Sequence, residues 1–398
     1  MVMVVVMFWM CPFSMAWDLG GGVLQEWETT PLRPRDIAVT STGVPYLTYY
    51  DEGAPDWPVG KVFTLNPMDG STVVFQVPAG WGDTRFNMID IGPGGGIWLS
   101  DMEDRIVKFE PTIPNPFIPY DLPRTGPGAV FNDPSTPAGI RVAPDGQVWF
   151  TCEGDPCLGR LDPATNTWTR FPANLAETLP DPPVDVAFSG DGMVWFTIRS
   201  DVHSSPGLGR LNPATGAITL WTYPGARGPY GIQVVNGTVW FMDHQYLQAD
   251  FDTGAVVRFD TTTEAFTVFE TPSDLGDPHF LVVDPDGIIW FTAFADSTIG
   301  TFDPTSETFN SRALSGTVPP SPMGIYLLPQ GQVWWAETYE PLHGGAGRVL
   351  IDIHRPYAVP TLSSVGLMLL IGAAGIAGAF FLYRRKNEDA LISRDRLS

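Results

Sequence analysis

Several side chains that could do chemistry share one repeated position in this 398-residue chain, three residues after a key aromatic residue. The residues at that position are Tyr49, Asp101, Cys152, Ile198, Asp243, Ala293 and Glu337. Carboxylate oxygens are the ligands that hard cations prefer, so Asp101, Asp243 and Glu337 are candidate ligands for Mg²⁺ or Ca²⁺. Solvated residues at the start of a loop would give the same pattern, and that alternative stays open.

The same positions predict a ligand-binding mouth at one end of the fold. The residues expected to line it are Tyr49, Asp101, Tyr230, Asp243, His244 and Glu337. Aromatic rings beside acidic groups suit contacts with a carbohydrate or a cation, and they occur equally in loop packing. The ligand class therefore stays open between a carbohydrate, a peptide and a small molecule.

These residues need a repeated scaffold, and the aromatic positions reveal one. The key aromatic residues are Tyr46, Trp98, Trp149, Trp195, Trp240, Trp290 and Trp334. They are separated by 52, 51, 46, 45, 50 and 44 residues. A period of this length, with several short strands in each unit, is typical of a β-propeller. The sequence thus predicts an all-β, seven-bladed β-propeller over residues 17–355.

Turn chemistry supports the all-β prediction. The chain contains 42 Gly and 39 Pro, a density of helix breakers that a helical bundle does not tolerate. Pro144-Asp145-Gly146 is a turn signal, because Pro presets φ and Gly accepts a positive φ. The following Val-Trp-Phe-Thr run is apolar, as expected for a strand buried on both faces. A sandwich of two sheets is the competing fold, but it does not explain seven equal units.

The last unit lacks a fourth strand after residue 353. Residues 23–30 have the composition of a strand and precede Pro31. We expect this N-terminal strand to complete the last blade and so remove an open sheet edge.

Cys152 and Cys157 bracket the loop after the second strand of the third unit. In a secreted chain a disulfide is the expected state of such a pair. Metal binding is the alternative, but a zinc site needs four ligands and no nearby histidine supplies them.

The repeated Pro-x-Gly-Ile, Asp-Gly-x-Val-Trp-Phe-Thr and Gly-Arg-Leu-Asp-Pro segments resemble those of the streptogramin lyase (virginiamycin B lyase) family of seven-bladed propellers. The resemblance covers roughly residues 20–353. It implies an elimination that opens a cyclic depsipeptide at its ester with the help of magnesium. It also implies a site made of one histidine at the start of the first strand in two successive blades, and a glutamate three residues after the tryptophan of the second strand.

Carried onto this sequence, the family pattern keeps one of its three functional residues. His279 matches one histidine and is the catalytic candidate if the chain is a lyase, whereas Tyr230 stands at the other histidine position and Ala293 at the glutamate. The resemblance therefore favours a binding or scaffolding module with the lyase fold. A metal-dependent carbon–oxygen lyase, a hydrolase that uses the acidic mouth and a structural component of the cell envelope remain the alternatives.

The two chain ends predict the compartment. Residues 1–16 are apolar and end in a small-x-small pattern, which indicates a signal peptide; a buried first strand is the alternative. Residues 365–383 carry no charge and are long enough for a transmembrane helix. Arg384, Arg385 and Lys386 follow, so the tail 384–398 is expected in the cytoplasm and the propeller on the extracellular face of the membrane.

The linker at residues 356–364 contains Pro360-Thr361-Leu362-Ser363. Together with the apolar run and the arginines it resembles the sorting tails of exosortase-processed bacterial surface proteins. The chain has 22 Lys and Arg against 44 Asp and Glu, a net charge of −22. Nucleic acid is therefore not an expected partner, since phosphate binding needs a basic surface.

Overall fold

The computed structural model describes residues 23–28, 34–49, 60–124, 128–132, 135–199, 207–223, 225–226, 228–244, 254–314, 321–329, 331–338 and 348–353. The contacts divide the chain into two units, Met1–His354 and Arg355–Ser398. The predicted signal peptide, linker, transmembrane helix and tail lie outside the described residues. Within the described ranges, no helix is long and apolar enough to cross a membrane.

All secondary-structure elements in the described residues are β-strands, as the all-β prediction requires. In chain order the strands are β1 Val23–Glu28, β2 Pro34–Val39, β3 Pro45–Tyr49, β4 Lys61–Leu65, β5 Thr72–Gln76, β6 Phe86–Ile91, β7 Ile97–Asp101, β8 Arg105–Phe109, β9 Phe117–Asp121, β10 Pro137–Val142, β11 Val148–Cys152, β12 Cys157–Asp162, β13 Thr167–Phe171, β14 Pro183–Phe188, β15 Val194–Ile198, β16 Leu208–Leu211, β17 Ile218–Trp221, β18 Pro229–Val235, β19 Thr238–His244, β20 Gly254–Asp260, β21 Ala265–Glu270, β22 Pro278–Val283, β23 Ile289–Ala293, β24 Thr298–Asp303, β25 Thr308–Ala313, β26 Ser321–Leu328, β27 Gln332–Thr338 and β28 Arg348–Ile353.

The strands form four-stranded antiparallel sheets of one repeated design, and seven such sheets are described. Six of them follow chain order: β2–β5, β6–β9, β10–β13, β14–β17, β18–β21 and β22–β25. The seventh has the order β1-β28-β27-β26, with Val23 opposite Ile353. The N-terminal strand thus supplies the fourth strand of the last sheet, as the sequence predicts.

The first strands of the sheets contact one another in a cycle. β2 contacts β6, and the contacts continue through β10, β14, β18, β22 and β26 back to β2. This arrangement is a β-propeller. Apolar clusters fill the spaces between neighbouring sheets, and the second strands β7, β11, β15 and β23 are buried along their whole length.

Glycine makes the turn between the first and second strands. The residue at this place has a positive φ in all seven sheets: Gly43, Gly95, Gly146, Gly192, Gly237, Gly287 and Gly331. At Gly146 φ is 85°, a value that is costly for residues with a Cβ atom. The Pro-Asp-Gly turn prediction is confirmed here.

Where the Trp-Phe-Thr run is present, its threonine links one sheet to the next. The Thr151 hydroxyl donates to the Val184 carbonyl at 3.3 Å, and the Thr292 hydroxyl donates to the Met323 carbonyl at 3.0 Å. Both threonines are fully buried. A side-chain donor there satisfies a backbone acceptor that the sheet ladder does not reach.

A second link runs between the first strands. Carboxylates or an amide on one first strand accept from a backbone N–H of the next: Asp36 from Ile89 at 2.9 Å, Asp90 from Val142 at 2.7 Å, and Gln233 from Val283 at 2.9 Å. These bonds hold neighbouring sheets in register around the cycle.

Candidate functional site

The residues three positions after the key aromatics are structurally equivalent. Each pairs with a residue at or next to the start of the first strand: Pro34 with Tyr49, Phe86 with Asp101, Pro137 with Cys152, Pro183 with Ile198, Pro229 with Asp243, Pro278 with Ala293 and Pro322 with Glu337. The acidic members do not line an open mouth, however. Asp101, Asp243 and Glu337 are at most 1% exposed.

The three acidic residues have local partners. Asp101 Oδ1 accepts from the Arg85 N–H at 2.8 Å, and Asp243 Oδ1 accepts from the Gly228 N–H at 2.7 Å. Glu337 Oε1 accepts from the Trp335 indole at 3.2 Å. Burial raises the pKa of Asp101 to about 6. These carboxylates hold chain segments at the strand ends.

The structure does not bring Asp101, Asp243 and Glu337 into one group of potential ligands, and their role as metal ligands stays a prediction. They lie in three different sheets. The described part of the chain contains one group of three or more His, Cys, Asp or Glu side chains close enough to share an ion, and these three residues are not in it. Tyr49 is also engaged, because the Lys61 ammonium lies 5.5 Å from the centre of its ring.

The structure instead brings together His244, Asp277 and His279. His244 is the last residue of β19, His279 is the second residue of β22, and Asp277 directly precedes β22. One potential ligand atom from each lies within 4.8 Å of the others. All three residues are more than nine-tenths buried. We call this group the imidazole cluster.

A β-bulge aims His279 and Tyr230 into the cluster. The pairing of β22 with β23 shifts between Pro278 and Leu281, and that of β18 with β19 shifts between Pro229 and Ile232. A bulge redirects the side chains of the residues within it. Both His279 and Tyr230 lie in such a shift, one in each of two successive sheets.

Asp277 orients both imidazoles. Its carboxylate Oδ1 is 2.8 Å from His244 Nδ1, and its backbone carbonyl is 3.0 Å from His279 Nδ1. The carboxylate Oδ2 lies 3.9 Å from His279 Nδ1. Asp277 has φ of 52°, a strained backbone conformation of the kind that concentrates at functional sites.

The hydrogen bonds fix the tautomer of each ring. A carbonyl oxygen only accepts, so His279 Nδ1 must carry the proton and donate it. The ionised Asp277 carboxylate likewise requires a proton on His244 Nδ1. In the neutral form of each imidazole the lone pair therefore lies on Nε2.

Burial and charge set the protonation of the cluster. Burial lowers the pKa of His279 to about 4, although Asp277 opposes the shift. Burial alone would raise the pKa of Asp277, but His279 and His244 outweigh it and lower that pKa. At neutral pH the cluster therefore holds a carboxylate and a neutral His279.

Tyr230 packs against both imidazoles. Its ring centre is 4.8 Å from that of His244 and 4.8 Å from that of His279, edge-on to each. The two imidazole centres are 4.6 Å apart, and Phe294 lies 4.9 Å from His279. Burial raises the pKa of Tyr230, so its hydroxyl stays protonated at neutral pH.

Ala293 is fully buried, and it packs in an apolar cluster with Trp240 and Phe291. The family resemblance places a glutamate here, and magnesium with it. Mg²⁺ demands oxygen ligands in octahedral geometry and is usually bound through carboxylates. A methyl group, two imidazoles and the single carboxylate of Asp277 do not meet that demand, so the residues present do not fit magnesium.

Cys152 and Cys157 are direct cross-strand partners between β11 and β12. The predicted disulfide is not formed; both cysteines are buried free thiols. Burial raises the pKa of the Cys152 thiol well above its usual value. Residues directly opposite on neighbouring antiparallel strands have Cα atoms about 4.5 to 5.5 Å apart, which lies within the span of a disulfide.

Sequence reasoning placed Tyr230 and His244 in the predicted mouth and matched His279 to a family histidine, but it gave no role to Asp277. The sequence signal for Asp277 was the Asp-Pro-His run at the start of β22, in which the aspartate stands directly before Pro278. Proximity of His244 depends on contact between successive sheets, which a repeat alignment does not display.

The model of the virginiamycin B lyase family matches residues 58–344. A virginiamycin B lyase of Nocardia farcinica (strain IFM 10152) is 32% identical over 171 residues, which are 42% of this chain and 52% of that protein. The chain thus spans about half the length of this curated relative.

Solved structures show the same fold at low identity. A catalytically inactive virginiamycin B lyase from Staphylococcus aureus with quinupristin matches with a TM-score of 0.64 and 22% identity, over 82% of this chain and 98% of that one. A streptogramin B lyase matches with a TM-score of 0.64 and 23% identity, over 85% and 100%. The WD40 propeller domain of Doa1 matches with a TM-score of 0.60 at 10% identity, so likeness of fold alone does not specify activity.

Proposed function

The chain belongs to the virginiamycin B lyase family, and from this premise we propose that it is a ligand-binding propeller in which the imidazole cluster replaces the family's lyase site. The observation that carries this proposal is Ala293, a fully buried methyl group at the position of the family's glutamate. Without that carboxylate the site lacks one of the groups that would hold magnesium against the charge developing in the elimination.

We place the binding site where the first strands β18 and β22 begin. Tyr230 offers an aromatic surface there, and the imidazoles offer hydrogen-bonding nitrogens. Apolar surface with a few oriented polar groups suits a small molecule, a peptide or a carbohydrate. In this proposal the seven sheets are the blades of one ring, which β1 closes.

The test uses a streptogramin B depsipeptide, quinupristin, with the purified full-length chain and Mg²⁺. We expect no ring-opened product by chromatography, which separates the linear isomer from the ring although their masses are equal. Turnover that disappears in His279→Ala would overturn the proposal.

Binding is tested by a thermal-shift screen with oligosaccharides, peptides and cyclic depsipeptides. We expect at least one class to raise the melting temperature of the full-length chain, and Tyr230→Ala to remove the shift. Arg210→Met, a change in a different sheet, is the matched control and should keep it. Hits that survive Tyr230→Ala would place the binding surface elsewhere.

A second function is favoured by one observation. Asp277 holds the two imidazoles so that, in their neutral form, their lone pairs lie on Nε2, which is the arrangement of an oriented general base. A lyase or hydrolase that uses His244 in place of the family's second histidine would then act without the glutamate. Its signature is turnover that both His244→Ala and His279→Ala abolish, whereas Asp101→Asn leaves it unchanged.

We also propose that the propeller is anchored on the extracellular face of the membrane by residues 365–383, after loss of residues 1–16. The support is the uncharged run and the basic cluster that follows it. Protease treatment of intact cells should release a fragment of about propeller size. A chain that the protease leaves intact would contradict the proposed orientation.

A further inference from the structure

We propose that His244, His279 and Asp277 form a site for a borderline divalent transition metal, with Zn²⁺ as its type, in place of the magnesium that the family implies. This inference goes beyond ligand binding, and it stands whether or not a depsipeptide is bound or opened.

The spacing of the three groups is near that of ligands around one ion. Zinc–nitrogen bonds of about 2.0 to 2.1 Å put two ligands of a tetrahedral ion roughly 3.3 Å apart. His244 Nδ1 and Asp277 Oδ1 are 2.8 Å apart, and His279 Nδ1 and Asp277 Oδ2 are 3.9 Å apart. Each of these two distances differs from the tetrahedral value by about half an ångström, and the potential ligand atoms of all three groups lie within 4.8 Å of one another.

The donor set selects the class of metal. Imidazole nitrogen suits Zn²⁺, Cu²⁺, Fe²⁺ and Ni²⁺, and two histidines with one carboxylate are a known set for such ions. Magnesium requires oxygen ligands and retains several waters, whereas two of the three donors here are nitrogens. Three protein ligands are the number that zinc has when water or another molecule takes its fourth position, and each of the three residues is at most 7% exposed.

For two rings in the neutral form, metal binding changes the position of two protons without releasing them. In the metal-free protein the Nδ1 atoms of both rings carry protons, which they donate to Asp277. When a metal takes the Nδ1 lone pairs, each neutral ring carries its proton on Nε2 instead, and Asp277 stays ionised. Two rings therefore exchange one tautomer for the other.

The first experiment titrates the EDTA-treated, purified full-length chain with Zn²⁺ and, separately, with Mg²⁺ by calorimetry. We expect one saturable Zn²⁺ site, a higher melting temperature with Zn²⁺ because the ion binds the folded state, and neither effect with Mg²⁺. His279→Ala and His244→Ala should each abolish the Zn²⁺ site, and Asp277→Asn should weaken it roughly 10- to 100-fold. Tyr230→Phe, which keeps both rings packed, is the matched control and should bind normally.

The second experiment reads the tautomers directly in the unmodified protein, so it does not depend on whether a variant folds. Nitrogen-15 spectra of the five histidines should show two rings moving from the Nδ1–H to the Nε2–H form on addition of Zn²⁺. The absence of a saturable Zn²⁺ site, a site that survives both histidine variants, or unchanged tautomers would each overturn the proposal. None of these results bears on the quinupristin assay, so failure of this inference is distinct from failure of the proposed function.

Discussion

Two groups of buried carboxylates lie at the same end of the sheets, and they differ in their partners. Asp101 and Asp243 accept hydrogen bonds from backbone N–H groups of their own sheets. Asp277 faces two imidazoles, one from the preceding sheet and one from its own strand. Burial is common to both groups, so burial does not mark the site. A carboxylate that holds backbone contributes to structure, whereas one that orients titratable rings contributes chemistry.

The largest change in stability is expected when the family's residues are restored one at a time. Ala293→Glu buries an unpaired carboxylate in an apolar cluster and should cost about 3 to 5 kcal/mol of the free energy of unfolding. Tyr230→His, at a half-buried position between two imidazoles, should cost less than about 1.5 kcal/mol. Urea unfolding of both variants measures the difference. A stable Ala293→Glu protein would show that the methyl group faces water, as the sequence alone suggested.

The next effect comes from acidification. His279 has a pKa of about 4 in the folded state, against about 6.5 in the unfolded chain. Above pH 6.5 neither state is protonated there, and His279 adds no pH dependence. As the pH falls from 6.5 to 4 the unfolded state takes up the proton first, so stability should fall by about 3 kcal/mol.

The check is urea unfolding in EDTA at pH 7 and pH 4.5, for the unmodified chain and for His279→Gln. The variant has no ring to protonate, so it should lose clearly less stability over this interval. Equal losses in the two proteins would mean that His279 is accessible to protons in the folded state.

A smaller change in stability is expected when one of the carboxylates that hold backbone is replaced, and it distinguishes these carboxylates from the imidazole cluster. Asp101→Ala removes the acceptor for the Arg85 and Glu103 N–H groups and should cost about 2 kcal/mol. Asp101→Asn keeps an acceptor oxygen and removes a buried charge, so its cost should stay below about 1 kcal/mol. Because the pKa of Asp101 is raised to about 6, acidification from pH 7 towards pH 4 should favour the folded state through this group, opposite to His279. Neither variant should change Zn²⁺ affinity.

The smallest change in stability is expected in the regular part of the repeat, away from the imidazole cluster, and it serves as the reference for the other variants. The Arg210 guanidinium lies 5.5 Å from the Trp195 ring and 5.2 Å from the Trp221 ring. Arg210→Met should cost about 0.5 to 1 kcal/mol in urea unfolding, with no change in pH dependence. A larger loss would show that repeated surface stacking, and not the site region, carries the main electrostatic contribution.

The repeat made the fold predictable. Gly146 and its equivalents mark the turns, and each Trp-Phe run is buried between sheets, so local pattern and global packing agree. The role of the following threonine was missed, because its hydroxyl bonds to the next sheet and not within its own unit.

The site was less predictable for a related reason. An alignment of the units treats residues at equivalent positions alike, and for that reason Asp243 was predicted to be a metal ligand together with Asp101 and Glu337. Its neighbour His244 reaches the cluster instead, because the next sheet brings Asp277 against the end of β19. Ala293 was predicted to face the mouth, but Trp240 and Phe291 enclose it.

The pairing of β1 with β28 has a consequence for biosynthesis. Val23 is among the first described residues to leave the ribosome, yet its partner Ile353 is made only after some 330 further residues. At about 5 to 20 residues per second, the first strand waits roughly 15 to 70 s for its neighbour. During that interval the edge that β28 will cover is exposed in a nascent chain, so protection of this segment by a chaperone is expected to govern the yield of the protein.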